Sequence, residues 1–154
     1  MEWVQELLTN SCFLAGFTGW FVAQALKIPF GAIVSKKIEW RRFFAAGGMP
    51  SSHTAMVVSL TIMVAFTEGI GSPLFAACFA FGSIVMYDAA GVRRETGRQG
   101  KAINDILGSF IMEGRPISDA EMKEIVGHTP FEVFIGSLVG IVCALVWVWI
   151  LGYI

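Results

Sequence analysis

Four apolar segments, separated by charged or turn-forming connections, constrain the fold of this chain more than any other feature. The first runs from about Leu7 to Phe30, the third from about Pro73 to Tyr87 and the fourth from Phe131 to Ile154. The second runs from about Thr54 to Phe66 and reaches spanning length only when Ser51 to Ile70 is included. A helix needs about 20 mostly apolar residues to cross the hydrocarbon core of a bilayer. We therefore predict an all-α, polytopic membrane helical bundle with four transmembrane helices, built by residues 1–154 as a single membrane-embedded domain.

The composition agrees with a membrane protein and excludes some partners. Charged residues make up 15% of the chain, whereas a soluble domain has about 25%. The net charge of -1 gives no bulk attraction to nucleic acid, so nucleic acid is not an expected partner. The three cysteines, Cys12, Cys78 and Cys143, lie inside apolar stretches without the spacing of a metal site. We expect neither a metal nor another cofactor.

The positive charges predict how the chain sits in the membrane. All eleven lysines and arginines fall in two connections, Lys27 to Met49 and Gly91 to Gly127. Four spans place both connections on one side, and the positive-inside rule makes that side cytoplasmic, with both termini on the opposite side. We expect an integral protein of a bacterial cytoplasmic membrane or an organelle membrane. Short interfacial helices are predicted in both connections, with a break at Gly114-Arg115-Pro116 in the second.

Each predicted helix brings a titratable group to this basic face. Lys27 lies near the end of the first span, and His53 opens the second. Asp88 ends the third span, and His128 precedes the fourth. A helical bundle could gather these groups into one cluster. Asp88 has two interpretations: it orients an arginine in a site, or it is an interfacial charge at a helix end.

The first histidine motif is Gly47-Gly48-Met49-Pro50-Ser51-Ser52-His53. Proline and serine suit a helix start, where free N–H groups and the positive end of the helix dipole form an anion site. A histidine at such a start can donate a proton to a leaving oxygen. The alternative is a capped helix start with an incidental interfacial histidine.

The second histidine motif is Gly127-His128-Thr129-Pro130-Phe131-Glu132. Thr129 suits an N-cap and Pro130 the first helical position. Glu132, three residues after Thr129, completes a capping box. Alternatively, Glu132 holds one nitrogen of His128 and orients the ring for nucleophilic attack. The two roles are compatible.

These motifs resemble those of a known superfamily. The stretch Pro50 to His53 resembles the Pro-Ser-Gly-His motif of the PAP2 acid phosphatases and vanadium haloperoxidases, and His128 to Val133 resembles their His-x-x-x-Asp-Val motif. The divergent PAP2 family is more similar still. It shares the Gly-Gly-Met-Pro-Ser-Ser-His stretch, the stretch from Tyr87 to Arg94, and Gly-His-Thr-Pro. The resemblance runs from about Trp20 to Gly140 and implies a PAP2-like core.

The resemblance also implies roles for individual residues. His128 would attack phosphorus and form a phosphohistidine, Glu132 would orient it, and His53 would protonate the leaving group. The negative charge of the phosphoryl group must be stabilised by hydrogen-bond donors that are held in place. The implied phosphate-binding and supporting residues are Arg93, Arg94, Lys27, Ser51, Ser52, Asp88 and Gly48. The arginines have an alternative role in lipid headgroup contact.

The chain departs from the superfamily pattern at several positions. No Arg-Pro dipeptide precedes His53, and Glu121-Met122 stands where the superfamily has Ser-Arg. Ser52 replaces a glycine, and four predicted spans replace six. Two functions are therefore open. One is a membrane phosphatase acting on a phosphate or diphosphate ester of a lipid or isoprenoid; the other is a catalytically inactive lipid- or phosphate-binding or scaffold protein. Membrane lipids are expected partners, and small residues from Gly136 to Gly140 permit a homo-oligomer.

Overall fold

The computed structural model describes residues 2–45, 47–92, 99–100, 103 and 129–154, and all regular secondary structure in them is helical. A short 3-10 helix covers Trp40–Phe44, and a π-helical turn, Asp88–Val92, follows the fourth helix. The prediction of an all-α chain is confirmed for these residues. The α-helices whose bounds the structure describes are α1 (Glu2–Thr9), α2 (Ser11–Ser35), α3 (Ser52–Glu68), α4 (Pro73–Tyr87) and α5 (Pro130–Ile150).

Three helical segments of the described residues are long and apolar enough to cross a membrane: Ser11–Ser35, Pro73–Gly91 and Pro130–Ile150. The sequence predicted four spans, and the segment that falls short is α3, with 17 residues. Its length is about 25 Å, against about 30 Å for the hydrocarbon core. Turns limit both ends of α3, because Ser51 caps its start and Gly69 follows its end with a φ of 83°.

Helix α3 lies at the centre of the bundle, between α2, α4 and α5. Two of its hydroxyl groups, those of Ser59 and Thr61, bond to the neighbouring helices. Ser59 Oγ donates to the carbonyl of Ala15 on α2 at 2.8 Å. Thr61 Oγ1 donates to the carbonyl of Cys78 on α4 at 3.3 Å. On α2, Cys12 pairs with Thr67 near the end of α3, whereas Lys27 pairs with Ser52 at its start. On α4, Gly82 lies one turn after Cys78 and packs against Val57, one turn before Thr61. Both helices therefore run antiparallel to α3.

Helix α5 runs parallel to α3. At one end the backbone N–H of Ser51 donates to the carbonyl of Glu132 at 3.1 Å. At the other end the rings of Phe66 and Tyr153 are 6.3 Å apart. The end of α2, the starts of α3 and α5 and the end of α4 therefore meet at one end of the bundle. We call this the motif end, because both histidine motifs lead into it in the sequence.

Glycines allow α2 and α5 to approach the backbone of α3. A Cβ atom at Gly19 of α2 would lie 2.7 Å from the carbonyl oxygen of Ala55. On α5, a Cβ at Gly136 would lie 2.5 Å from the oxygen of Ser51, and one at Gly140 would lie 2.6 Å from that of Ala55. Real Cβ atoms do not come this close to backbone oxygens, so the three-helix packing requires glycine at these positions.

Much of the apolar surface faces outward. Helix α4 buries only Gly82, while large side chains such as Phe79 and Phe81 are exposed. Helix α5 likewise exposes Phe134 and Trp149. Exposed apolar faces on helices of this length are typical of surfaces that a bilayer covers. Contact of such faces with water would be unfavourable in free energy.

Helix α2 differs from its predicted bounds. The prediction ended the first span near Phe30, but the helix continues to Ser35 with Pro29 inside it, and Lys36 ends it with a φ of 54°. Lys27 is therefore in the helix interior rather than near its end. The physical reason is the following connection, which folds back along α2 and gives this part of the helix polar partners. That connection contains the 3-10 helix, which confirms a short helix there; the break predicted at Gly114-Arg115-Pro116 lies outside the described residues.

Candidate functional site

Ser51 caps the first turn of α3. Ser51 Oγ accepts from the backbone N–H of Thr54 at 3.4 Å and from Thr54 Oγ1 at 3.0 Å. Ser51 and Ser52 are almost entirely buried. Because Ser51 also donates its backbone N–H to the carbonyl of Glu132, the first motif is bonded directly to the helix that follows the second.

The start of α5 forms the predicted capping box. The backbone N–H of Thr129 donates to Glu132 Oε2 at 2.8 Å, and the N–H of Glu132 donates to Thr129 Oγ1 at 3.3 Å. The capping role of Glu132 is confirmed. Its second predicted role, orienting His128, concerns a residue outside the described part of the chain and stays a prediction.

Lys27 brings a buried cation to the motif end. Its side chain is 3% exposed, and Nζ donates to the carbonyl of Ala45 at 2.8 Å. Nζ also lies 3.5 Å from Ser52 Oγ, in the first turn of α3. The Glu132 carboxylate acts on this ammonium electrostatically. A buried charge is costly unless it is paired and hydrogen-bonded, and here a carbonyl, a hydroxyl and a carboxylate share that role.

A pocket of about 200 Å³ opens beside Lys27. It combines charged side chains, the backbone of the glycine turn that leads into α3, and an apolar wall from the last turns of α2. This volume admits a small polar group together with the start of an apolar chain. The lining residues in the described part are Lys27, Phe30, Gly31, Val34, Arg42, Ala45, Gly47, Gly48, Met49 and Glu132.

Gly48 allows the turn that leads into α3. Its φ is 90°, a conformation that residues with a Cβ rarely adopt. The turn passes from Gly47 through Met49 along the edge of the pocket. The glycine pair of the first motif therefore shapes the pocket by its backbone conformation.

The structure brings together five of the predicted site residues and leaves others apart. His53 is exposed in the first turn of α3 and is not among the described residues that line the pocket. Successive residues on a helix point about 100° apart, so His53 leaves α3 by a different face than Ser52. Asp88 is partly buried at the end of α4, where the π-helical turn begins. The five that meet at the motif end are Lys27, Gly48, Ser51, Ser52 and Glu132.

Three predicted site residues, Arg93, Arg94 and His128, lie outside the described residues. Their assigned roles stay predictions. Among the residues that the structure does describe, no three His, Cys, Asp or Glu side chains form a group that could hold a metal ion.

Arg42 is a pocket residue that sequence reasoning did not single out. Its side chain packs against Gly31 on α2, and its Nε donates to Glu39 Oε2 at 3.1 Å. From the sequence, Arg42 contributed only to the charge that orients the chain in the membrane. No motif marked it, because its contact with Gly31 depends on the connection folding back along α2.

Comparisons with known proteins agree with this architecture. The family model of the divergent PAP2 family matches residues 8–143. A protein of Bacillus subtilis (strain 168), described as the uncharacterized membrane protein YuiD, is 41% identical over 151 residues, which cover 92% of this chain and 96% of that protein. No solved structure matches the chain significantly. With three apolar helices of spanning length in the part of the chain that the structure describes, this integral membrane protein belongs to the divergent PAP2 family.

Proposed function

We propose that this protein is a membrane phosphatase that hydrolyses a phosphate or diphosphate ester of a lipid or isoprenoid through a phosphohistidine. The observation that supports this most is the pocket in which buried Lys27 and Glu132 meet the glycine turn of the first motif. Helix starts and buried cations favour a bound phosphoryl group.

The proposed reaction has two steps. A ring nitrogen of His128 forms a bond to phosphorus, and the bond from phosphorus to the ester oxygen breaks as His53 gives that oxygen a proton. Water then attacks the phosphohistidine, His53 takes its proton, and phosphate leaves with His128 restored. Glu132 keeps its place in the capping box in both steps and holds the His128 ring in one orientation.

The apolar wall of the pocket supports an amphiphilic substrate. Phe30 and Val34 are on the last turns of α2, and Val34 is 84% exposed on the outside of the bundle. A tail that leaves the pocket past these residues reaches the surface that the bilayer covers. A phosphate head would stay beside Lys27.

The direct test is phosphate release by the purified protein in detergent. A panel of isoprenyl and glycerolipid phosphates and diphosphates serves as substrates, with a labelled phosphate group on each. We expect release from at least one of them, together with a labelled protein adduct that is stable in base and lost in acid, as a phosphohistidine is. Binding of phosphate without release from any substrate would favour the inactive binding or scaffold protein instead.

The role of His53 has its own prediction. Replacing His53 with alanine is expected to slow the first turnover of an alkyl phosphate about 10²- to 10⁴-fold, the range for a lost general acid. An aryl phosphate with a leaving group that is stable as an anion needs no proton, so its first turnover is expected to slow far less. Stopped-flow release of the phenol measures this step. Equal slowing of both substrates would contradict the acid role.

We also propose that α3 crosses the membrane with the three longer helices. It lies between α2 and α4 and runs antiparallel to both, and 17 residues are within the range of known spans. The turn after α3 is then outside and the basic connections are cytoplasmic. In right-side-out vesicles, an impermeant maleimide is expected to label Gly71→Cys and not Lys37→Cys, over the background of the unsubstituted protein. Labelling of both or of Lys37→Cys alone would refute this topology.

A further inference from the structure

We infer that Arg42 is the second cation of an anion site that it forms with Lys27, and that this site takes the phosphate group of a phosphate monoester or free phosphate. The inference rests on the proposed function for the nature of the anion, but binding requires no turnover. Arg42 thus places an arginine at the pocket, although the chain has no Arg-Pro dipeptide before His53.

Gly31 is the reason that Arg42 can reach the pocket. Gly31 is buried on α2 and lines the pocket, and the space where its side chain would lie is filled by Cδ, Nε and Cζ of Arg42. The guanidinium is thus held against α2 with the pocket at its edge. A Cβ at position 31 would meet the arginine first and displace it, since all three nearest atoms belong to Arg42.

Two hydrogen bonds hold the backbone around Arg42 on α2. Gln24 Nε2 donates to the carbonyl of Phe43 at 2.7 Å, and Lys27 Nζ donates to that of Ala45 at 2.8 Å. Both donors come from buried side chains. The segment that carries Arg42 is therefore anchored directly after it, and one of the anchors is the other cation of the site.

The charges of the pocket suit a phosphate group. Among its described lining residues, Lys27 and Arg42 are cations and Glu132 is an anion, which leaves a net charge of +1 on the side chains. A guanidinium binds phosphate oxygens through two parallel N–H groups, while an ammonium acts as a point charge. The ion pair of Arg42 with Glu39 is solvent-accessible, and such pairs contribute little, so a phosphate can replace the carboxylate.

Titration calorimetry on the full-length protein in a neutral detergent, at fixed ionic strength, tests the inference. The probes are inorganic phosphate and dodecyl phosphate. Arg42→Ala is expected to weaken binding about 10- to 100-fold, the effect of losing a hydrogen-bonded charge. Arg41→Ala removes the same charge from the neighbouring exposed position and is expected to change affinity less than about twofold. Arg42→Lys should fall between Arg42→Ala and the unsubstituted protein.

A pair of glycine variants separates positioning from charge. Gly31→Ala keeps both cations but displaces Arg42, so it is expected to weaken binding by about tenfold while the protein remains folded. Gly16→Ala is its control on the same helix, because a Cβ there meets only ordinary contacts, the nearest at 3.4 Å. Gly16→Ala is expected to bind like the unsubstituted protein.

The outcomes distinguish the ligand source and separate this inference from the proposed function. Binding of both probes with the same dependence on Arg42 identifies a site for phosphate itself, and binding of dodecyl phosphate alone identifies a headgroup site. Arg42-dependent binding without any turnover leaves the inference standing and removes the phosphatase. If turnover depends on His128 and Arg42→Ala leaves the KM unchanged, the phosphatase stands and the inference about Arg42 is overturned. Equal weakening by Arg41→Ala and Arg42→Ala, or no binding of either probe to the unsubstituted protein, overturns the inference.

Discussion

Replacing His128 with alanine is expected to abolish phosphate release and the labelled phosphohistidine together. Loss of a nucleophile removes the covalent route altogether, and such losses cost about 10⁴-fold or more in turnover. The remaining groups, Lys27 and the start of α3, would still bind the phosphoryl group. The measurement is release from the best substrate of the panel, at enzyme concentrations high enough to detect the residual rate.

Binding supplies the control for this variant. His128→Ala keeps the pocket residues of α2 and α5, so it is expected to bind inorganic phosphate within a few-fold of the unsubstituted protein and to elute as the same species in size exclusion. Turnover that survives in His128→Ala would remove histidine from the nucleophile role. Loss of turnover together with loss of binding would point to a structural effect instead, and His128→Gln would then serve as the second variant.

Replacing Gly136 with alanine is expected to disrupt the motif end of the bundle. The new Cβ would lie 2.5 Å from the carbonyl oxygen of Ser51 and 3.1 Å from its Cβ. Backbone atoms cannot move aside as a flexible side chain can, so α5 must shift away from α3. Overpacking of this kind costs about 1–3 kcal/mol, and the shift would also break the hydrogen bond from Ser51 to Glu132. Thermal unfolding in detergent should show a clearly lower midpoint.

Gly82 of α4 provides the matched control. It is also a buried helical glycine, but a Cβ there would meet Thr61 at 3.6 Å and Val57 at 3.7 Å, which are ordinary contacts. Gly82→Ala is expected to leave the midpoint unchanged or to raise it slightly, since alanine favours the helix by about 0.5–1 kcal/mol. If Gly136→Ala unfolds at the same temperature as Gly82→Ala, close approach of α5 to α3 is not required.

Sequence reasoning predicted the helices best where local chemistry marks their ends. The bounds of α4 agree with the prediction from Pro73 to Tyr87, because Ser72 and Pro73 form a strong helix start and Asp88 begins the polar stretch. The predicted end of the first span, near Phe30, was wrong by five residues, because α2 continues to Ser35. Lysine and proline are typical of a helix end, but the connection that folds back along α2 gives this part of the helix polar partners, and the helix continues past Lys27 and Pro29.

The candidate site was predictable where short motifs carry it. The capping box of Thr129 and Glu132 and the turn at Gly48 follow from local residue types, and the structure has both. The convergence of Lys27 with the start of α3 was expected in outline from the four-helix topology. Arg42 could not be found in this way, because its position depends on a glycine eleven residues earlier in the chain and on backbone carbonyls that no sequence pattern reveals.

The bond between Ser51 and Glu132 has a consequence for biosynthesis. A growing chain emerges from the ribosome with its N-terminal part first, so α2, α3 and α4 reach the membrane before α5 exists. Until α5 inserts, Glu132 does not line the pocket and α5 does not cover the buried Ser51 at the start of α3. The starts of α3 and α5 therefore stay apart in the nascent protein, and the pocket beside Lys27 is completed only after α5 has been made.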